Sequence, residues 1–539
     1  MAAIISKARG FVAEKRVFLR EATGLVREAG ARDILALATM NMSWGLTAFW
    51  YFLWGPYYAP GGDLNMGITL VVIPMIFGSL VWAFMATIMP RSGGDYIFNS
   101  RILHPLLGFL SSLGWVAVNF IWCATLSAYV SNPALSGLAY LMGWPALGSF
   151  AASGLGTFIV GTIVIVAFTL ILIYGMKLYL NVQMVMFGFG LLWFLIIWAL
   201  LATHTHADFV NGWNTLSSTY GSATYDQVIS SAQSGGVSIA SSLPATLLLM
   251  PISFWGLGYP YFAAFIAGET KSVHKSTMIG IPGALLMCGL SLYITNYFLQ
   301  NVVGQSFLAS VSYLGGNGLA PYTLPFLPNF QIFAAVLTNN PILIFLIGFG
   351  FIAWNLLYAA LSIIGQSRIS LAWAFDRLAP SFFGDVSERT HTPWKNMAFF
   401  ALGGEIVLMI YAFYQPTILV SYTAEIPQIL TTFMFTAIAA IVIPYRKRLK
   451  SVFEQSAASK YKLGSIPFIS VCGVIYAGIL AAVIYYYFTD SGLGALYLPS
   501  LAVTGAVYVF GVVYFYAIRA YRLKHGIDIR LAFMELPPE

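Results

Sequence analysis

Long apolar segments, separated by short polar ones, run along almost the whole chain. Twelve of these segments are long enough to cross the hydrocarbon core of a bilayer as helices. We number them spans 1 to 12, and they cover residues 33–54, 67–89, 106–131, 154–175, 178–201, 243–267, 277–302, 341–367, 397–415, 418–443, 465–488 and 495–518. Backbone groups within lipid must be hydrogen-bonded inside the chain, which favours a helix for each span. The pattern therefore predicts an all-α integral membrane protein with about twelve transmembrane helices.

Polar residues and helix-breaking residues interrupt two of the spans near their middles. The break in span 1 is Asn41-Met42-Ser43-Trp44-Gly45-Leu46-Thr47, and the break in span 6 is Phe254-Trp255-Gly256-Leu257-Gly258-Tyr259-Pro260. Gly and Pro weaken a helix, and Asn, Ser and Thr can bond the backbone groups that a break sets free. Because the breaks lie five spans apart, their helices run in opposite directions, as an inverted five-plus-five repeat requires.

The repeat predicts how the chain is divided. We expect a cytoplasmic lead-in at 1–32, a first repeat at 33–201, an outer loop at 202–242, a second repeat at 243–443, two further spans within 444–518 and a cytoplasmic tail at 519–539. The lead-in alternates basic and acidic residues and lacks the apolar core of a signal peptide, so we interpret it as a partly amphipathic helix. A second long outer loop is predicted at 303–340.

The two breaks offer the chemistry that a zwitterionic amino acid needs. An opened helix exposes N–H groups, which suit a carboxylate, and C=O groups, which suit an ammonium group or a cation. Aromatic residues at the breaks predict an apolar pocket for the side chain of the substrate. The predicted substrate-binding residues are Asn41, Met42, Ser43, Trp44, Gly45, Asn119, Phe254, Trp255, Gly256, Gly258 and Tyr259.

Stripes of polar and aromatic residues on two other spans indicate helix faces that turn away from lipid. They consist of Trp115, Asn119 and Trp122 on span 3, and of Asn355, Tyr358, Ser362 and Gln366 on span 8. Such stripes either line a transport path or hold helices together, and the sequence leaves both interpretations open.

Charged residues make up only 8% of the chain, and their positions predict a topology. With twelve spans, all 26 Lys and Arg residues fall on the side that carries both termini, which we call the basic face. Asp63, Asp208, Asp226 and Asp490 lie in loops of the opposite face. The positive-inside rule makes the basic face cytoplasmic, in a cell membrane. The net charge of +7 reflects this topology and contact with anionic lipid, and it gives no reason to expect a nucleic-acid partner.

Several functional classes are disfavoured by what the spans contain. All six histidines lie outside the spans, whereas a membrane-embedded metal or haem enzyme needs histidine in its core. The three cysteines lie singly within apolar segments and form no metal-binding pattern. No phosphate-binding loop of an ATPase is visible. We therefore expect neither an enzyme nor a cofactor or metal, and the residues give no indication of an oligomeric state.

Two carboxylates lie within spans and have no Lys or Arg at the same depth. Glu405 is near the centre of span 9, and Glu425 is in the first half of span 10. An acid in hydrocarbon is costly to ionise, so it can hold a proton in one conformation and release it in another. We favour Glu425 as the group that couples transport to H⁺. A Na⁺ site formed by span 1 carbonyl groups and Ser362 is the alternative.

Four different short motifs lie near the ends of spans and follow one another along the chain. They are Pro90-Arg91-Ser92-Gly93-Gly94-Asp95-Tyr96, Gly175-Met176-Lys177, Ala267-Gly268-Glu269-Thr270-Lys271 and Ala374-Phe375-Asp376-Arg377-Leu378-Ala379-Pro380. In this order they resemble the amino acid–polyamine–organocation (APC) superfamily of transporters. The segments at residues 20–28 and 535–539 are similar to those of its prokaryotic amino acid permeases. The resemblance covers nearly the whole chain.

This resemblance implies a leucine-transporter-type fold that works by alternating access. It places the substrate between spans 1, 3, 6, 8 and 10. It also implies that the span 1 break binds the carboxylate of the substrate, and that carbonyl groups of residues 252–256 bind its amine.

The function predicted from the sequence is secondary transport of an amino acid, with a neutral, apolar or aromatic one favoured. No acid or base lies within either break to meet a second charge on the substrate, and an unpaired charge in a dry pocket is costly. The alternatives are a carrier or exchanger of a polyamine or organic cation, and an amino-acid sensor or leaky channel that transports nothing.

Overall fold

The computed structural model describes residues 24–414 and 418–536, and for residues 418–424 it describes the backbone alone. Residues 1–23 of the predicted lead-in helix and residues 537–539 of the tail lie outside this description. The described chain is overwhelmingly helical, with one short antiparallel hairpin of Lys462–Leu463 and Ile466–Pro467 between spans 10 and 11. The predicted all-α membrane fold is therefore confirmed.

Eleven helical segments of the described chain are long and apolar enough to cross a membrane, and they correspond to predicted spans 2 to 12. Their helices are Leu64–Ile88, Pro105–Tyr129, Gly154–Tyr174, Met176–Thr203, Leu243–Leu257 with Pro260–Glu269, Val273–Phe298, Pro341–Leu356 with Tyr358–Phe375, Trp394–Phe413, Ile418–Val442, Phe468–Thr489 and Leu498–Lys524. Span 1 consists of two helices, Ala31–Asn41 and Trp44–Tyr58, each too short to cross alone.

Both predicted breaks are present, and each has a local cause. In span 1 one helix ends at Asn41 and the next begins at Trp44, because Ser43 between them adopts the left-handed region at φ 39°. A single left-handed residue cannot continue a right-handed helix. In span 6 the α-helix ends at Leu257, and Pro260, which has no N–H group, begins a 3-10 helix.

Spans of the first half of the chain pack against spans of the second half in a regular order. Span 1 contacts span 6, span 2 contacts span 7, span 3 contacts span 8, and span 4 contacts span 9. Span 11 packs on spans 2 and 10, and span 12 packs on spans 3 and 10. The two broken spans are thereby brought together inside the bundle.

The two segments predicted as long outer loops are largely helical. They contain the helices His206–Thr219, Tyr225–Ser234, Gln305–Asn317 and Phe330–Ala335. Aromatic side chains hold these helices together: the buried Trp213 ring lies edge-on to Phe307, with centroids 4.9 Å apart, and Phe307 stacks on Tyr225 at 4.5 Å. The first of these segments, at residues 202–242, is rich in Ser, Thr and Gly, which obscures its helices in the sequence.

Two buried ion pairs connect elements at the basic face. Arg368 of span 8 donates two hydrogen bonds of 2.8 Å to the carboxylate of Glu269, at the end of span 6. Arg101, in the short helix after span 2, pairs with Asp376 at 2.6 Å. Span 8 continues as a helix to Phe375, beyond its predicted end, and this extension places Arg368 inside the protein.

Candidate functional site

The two helix breaks are adjacent and are joined by hydrogen bonds. The Asn41 side-chain nitrogen donates to the main-chain oxygen of Tyr259 at 2.6 Å, and the Tyr358 hydroxyl donates to the main-chain oxygen of Asn41. Within span 1, the Thr47 hydroxyl donates to the main-chain oxygen of Met42 at 2.6 Å. These side chains satisfy carbonyl groups that the breaks set free, which makes a broken helix tolerable inside the protein.

Other backbone groups at the breaks remain available to a ligand. The second helix of span 1 begins at Trp44, so the N–H groups of Trp44, Gly45 and Leu46 have no intrahelical partner. In span 6 the Gly258 N–H group still donates to the Phe254 carbonyl, but Pro260 has no N–H group to donate to the Gly256 carbonyl. Because a helix N-terminus attracts negative charge and a C-terminus attracts positive charge, this pair of ends suits a carboxylate and an ammonium group.

A small cavity of about 30 Å³ lies where the breaks meet, and we call it the central cavity. Spans 1, 3, 6, 8 and 10 contribute to its wall. Its lining residues are Asn41, Met42, Ser43, Leu46, Thr47, Trp122, Thr125, Leu126, Tyr129, Trp255, Tyr259, Tyr358 and Glu425. The lining is mainly apolar and aromatic, and it contains neither Lys nor Arg.

The structure brings several predicted site residues together on this cavity. These are Asn41, Met42, Ser43, Trp255, Tyr259 and Glu425. Trp122 and Tyr358, from the stripes on spans 3 and 8, also line it. Both residues also bond to another span, Trp122 to Glu425 of span 10 and Tyr358 to Asn41 of span 1, so they line the cavity and hold helices together.

Other predicted substrate-binding residues lie beside the cavity. Trp44 turns toward span 5, where its ring stacks on Phe194 with centroids 4.5 Å apart. The Asn119 side chain donates to the main-chain oxygen of Trp115 at 2.8 Å, within its own helix. Trp44 lies in the span 1 break and Asn119 lies on the stripe of span 3, but the rotation of their helices points both side chains away from the lining.

The remaining predicted residues support the close approach of the helices. A Cβ atom on Gly256 would collide with the side chain of Thr47 in span 1. A Cβ atom on Gly258 would lie 2.7 Å from the main-chain oxygen of Phe254, whose own ring is buried. Gly45 lies similarly close to a tryptophan of span 8. We infer that Gly45 and Gly256 let the two broken helices pack against their neighbours, whereas the close contact at Gly258 lies within span 6 itself.

The candidate coupling residues differ in where they lie. Glu425 is 2% exposed, lines the central cavity, and accepts a hydrogen bond of 2.8 Å from the indole nitrogen of Trp122. Glu405 is only half-buried and is bonded to Thr162 of span 4 at 2.9 Å, outside the cavity. Ser362 is buried in span 8 and is not among the lining residues.

A second cavity, of about 330 Å³, lies between the central cavity and the opposite face. It reaches Tyr58 at the end of span 1 and Leu493 between spans 11 and 12. The two cavities share Tyr129, Trp255 and Glu425 as lining residues. These three side chains therefore form the boundary between the central cavity and the opposite face.

The central cavity is closed toward the basic face. Every residue of the 3-10 helix Pro260–Glu269 is buried. Aromatic rings pack beside this helix, with centroids 5.0 Å apart for Trp115 and Tyr261 and 5.1 Å apart for Tyr261 and Phe433. In this conformation the central cavity therefore adjoins a second cavity toward the opposite face and a packed layer toward the basic face.

Comparison with known proteins identifies the family of this chain. The profile of the family described as amino acid permease matches residues 57–518. The chain belongs to this family. Cationic amino acid transporter 4, vacuolar, of Arabidopsis thaliana is 30% identical over 183 residues, which are 33% of this chain and 26% of that relative. The match thus spans about a quarter of the length of the relative. The predicted resemblance to the APC superfamily is confirmed.

In this permease, sequence reasoning missed three lining residues of span 3. They are Thr125, Leu126 and Tyr129. They continue the stripe of Asn119 and Trp122 at the helical spacing of three to four residues. Extending the stripe by two turns would have found them, but Thr, Leu and Tyr are common enough in membrane helices to carry no signal alone.

Proposed function

We propose that this permease is a secondary transporter that moves an amino acid across the cell membrane by alternating access, with both termini in the cytoplasm. The observation that carries the proposal is the central cavity at the junction of two helix breaks. A helix N-terminus and a helix C-terminus meet there, and together they match the carboxylate and the ammonium group of an amino acid. Membership of the amino acid permease family supports the same substrate class.

We also propose the inverted five-plus-five repeat as the basis of the movement. It is supported by the contacts of spans 1, 2, 3 and 4 with spans 6, 7, 8 and 9, respectively. In such a fold, one group of spans rocks against the other around a fixed substrate site. The closed basic face then corresponds to one of the two end states.

We favour a neutral substrate whose transport is coupled to H⁺ through Glu425. The lining contains no cation that would balance this carboxylate, and the carboxylate is almost completely buried. Burial of an unpaired charge is costly, so the acid is more stable with a bound proton until water reaches it. Its position between the two cavities would let it exchange a proton with the opposite face.

The test is uptake of radiolabelled amino acids into proteoliposomes under an imposed pH gradient, with and without Na⁺. We expect wild-type protein to accumulate a neutral amino acid along the pH gradient. Glu425→Gln should lose this accumulation while retaining exchange of internal for external substrate. Glu405→Gln is the matched control, because it removes the other acid within the spans, which lies outside the cavity.

Three results would contradict these proposals. Accumulation that only Na⁺ drives excludes proton coupling. Full pH-driven accumulation by Glu425→Gln excludes Glu425 as the coupling acid. Binding of amino acids without uptake or exchange excludes transport and supports a sensor.

A cationic amino acid or polyamine is the second candidate substrate, and Glu425 is the observation that favours it. An ionised Glu425 on the cavity would pair with a positively charged side chain of the substrate. The similarity to a protein named as a cationic amino acid transporter agrees with this reading. In that case Glu425→Gln should abolish uptake of arginine and lysine and leave uptake of neutral amino acids unchanged.

A further inference from the structure

A separate pocket, of about 630 Å³, lies at the basic face between the end of span 10 and the start of span 3. It shares no lining residue with the central cavity. Its wall is formed by residues 100–105, which lead into span 3, by residues 445–449, which follow span 10, and by Arg530 and Phe533 of the tail. We call it the tail pocket.

The lining of the tail pocket is basic and contains no acidic residue. Arg446, Lys447 and Arg448 occupy consecutive positions on its wall, and all three are exposed. Arg448 donates a hydrogen bond of 2.7 Å to the main-chain oxygen of Arg101, which fixes its guanidinium group at the pocket. Among the residues that the structure describes, Arg446 and Lys447 have no ion-pair partner.

Two further arginines of the wall are already neutralised. Arg530 is bonded to the carboxylate of Asp528 at 2.7 Å, and Arg101 is paired with Asp376. Within the described part of the chain, three positive charges at positions 446, 447 and 448 therefore have no acidic partner around this pocket. Concentrating like charges in this way is unfavourable unless an anion balances them.

The depth of the tail pocket matches that of phospholipid headgroups. Tyr445, which is 62% exposed, stands directly after the last residues of span 10, and Pro105 is the first residue of the span 3 helix. Exposed tyrosine is typical of the interface between membrane and water. The buried ring of Phe533, 5.1 Å from the Arg101 guanidinium, closes the inner side of the pocket.

We propose that the tail pocket binds a phosphate group, carried either by the headgroup of an anionic lipid or by free phosphate, through Arg446, Lys447 and Arg448. Guanidinium groups bind phosphate oxygens in a bidentate manner, and a lysine adds a further charge. Basic pockets between transmembrane helices on the cytoplasmic side are typical sites for anionic headgroups.

The first arm of the test measures lipid binding to the full-length protein. Protein in neutral detergent micelles is titrated with phosphatidylglycerol or with phosphatidylcholine, and bound lipid is counted by native mass spectrometry. We expect preferential binding of phosphatidylglycerol. The double variant Arg446→Gln/Lys447→Gln should bind it roughly thirty-fold more weakly, as the loss of two basic residues near the headgroups implies.

The second arm measures free phosphate, and a matched variant controls for net charge. Inorganic phosphate is titrated calorimetrically into the same protein without anionic lipid. Lys460→Gln/Lys462→Gln removes two exposed basic residues of the same face that do not line the pocket, and it should bind both ligands as the wild type does. Retained amino acid uptake verifies that each variant is folded.

The outcomes separate the two sources and can refute the site. Weaker binding of phosphatidylglycerol by the 446/447 variant, without binding of inorganic phosphate, assigns the site to a lipid headgroup. Binding of inorganic phosphate that the same variant loses assigns it to the phosphate group itself. If neither ligand distinguishes the 446/447 variant from the wild type, or if the 460/462 variant loses as much binding, the tail pocket is not a phosphate site.

Discussion

The buried ion pair between Glu269 and Arg368 allows a quantitative prediction about the closed basic face. We expect Arg368→Gln to lower the free energy of unfolding by about 3–5 kcal/mol, because it leaves a buried carboxylate without its cation. The side chains of Glu269 and Arg368 are 2% and 0% exposed, and two hydrogen bonds of 2.8 Å join them. Because both side chains are buried, water cannot replace the two N–H donors of Arg368 that the variant lacks.

An exposed ion pair of equal length provides the matched control. Lys395 and Asp385 are also 2.8 Å apart, but their side chains are 46% and 50% exposed. Lys395→Gln should therefore lower the free energy of unfolding by about 1 kcal/mol at most. The two pairs share the same N···O distance but differ in burial, and the buried pair has two hydrogen bonds whereas the exposed pair has one.

The assay is unfolding in mixed micelles with increasing sodium dodecyl sulfate, followed by tryptophan fluorescence. The double variant Glu269→Gln/Arg368→Gln should recover much of the loss, since it leaves no unpaired charge. Equal, small losses for Arg368→Gln and Lys395→Gln would refute the reasoning. So would a double variant that is less stable than Arg368→Gln alone.

Three further predictions concern the central cavity and the outer helices. Tyr358→Phe removes the hydrogen bond to the span 1 break and should raise the KM for uptake several-fold, as the loss of about 1 kcal/mol implies; an unchanged KM would contradict this. Gly256→Ala would push a methyl group into Thr47 and should abolish uptake, whereas Gly188→Ala, with no heavy atom nearby, should transport normally. Trp213→Ala removes a fully buried ring and should lower the free energy of unfolding by about 3–5 kcal/mol. The helices of the opposite face should then become sensitive to limited proteolysis.

The candidate site was predictable in part. Trp44 and Trp122 show that the sequence does not predict which way a side chain faces. Both are aromatic residues of spans that border the cavity, yet Trp122 faces it and Trp44 packs against Phe194. A residue's position along the chain places it at the right depth of the membrane. Its direction depends on the rotation of the helix, which only packing against neighbouring helices decides.

The two membrane-embedded acids lead to the same conclusion. Glu405 and Glu425 look alike in sequence, since each is an acid in an apolar span without a neighbouring base. The structure separates them, because Glu425 lies on the central cavity beside Trp122, whereas Glu405 bonds to Thr162 between spans 4 and 9. This distinction arises from contacts between residues that are hundreds of positions apart in the chain.

The number of spans, the positions of both breaks along the chain and the predicted restriction of Lys and Arg to one side all followed from the sequence. These properties are local. A helix that crosses the hydrocarbon core needs about twenty mostly apolar residues, and a Gly, a Pro or a charged residue within such a segment is recognisable in the sequence. The tertiary structure alone decided which side chains enclose the cavity, that the outer segments fold as helices, and that Glu269 pairs with Arg368. Each of these depends on which helix faces meet, and many pairings of apolar faces satisfy the same hydrophobic pattern.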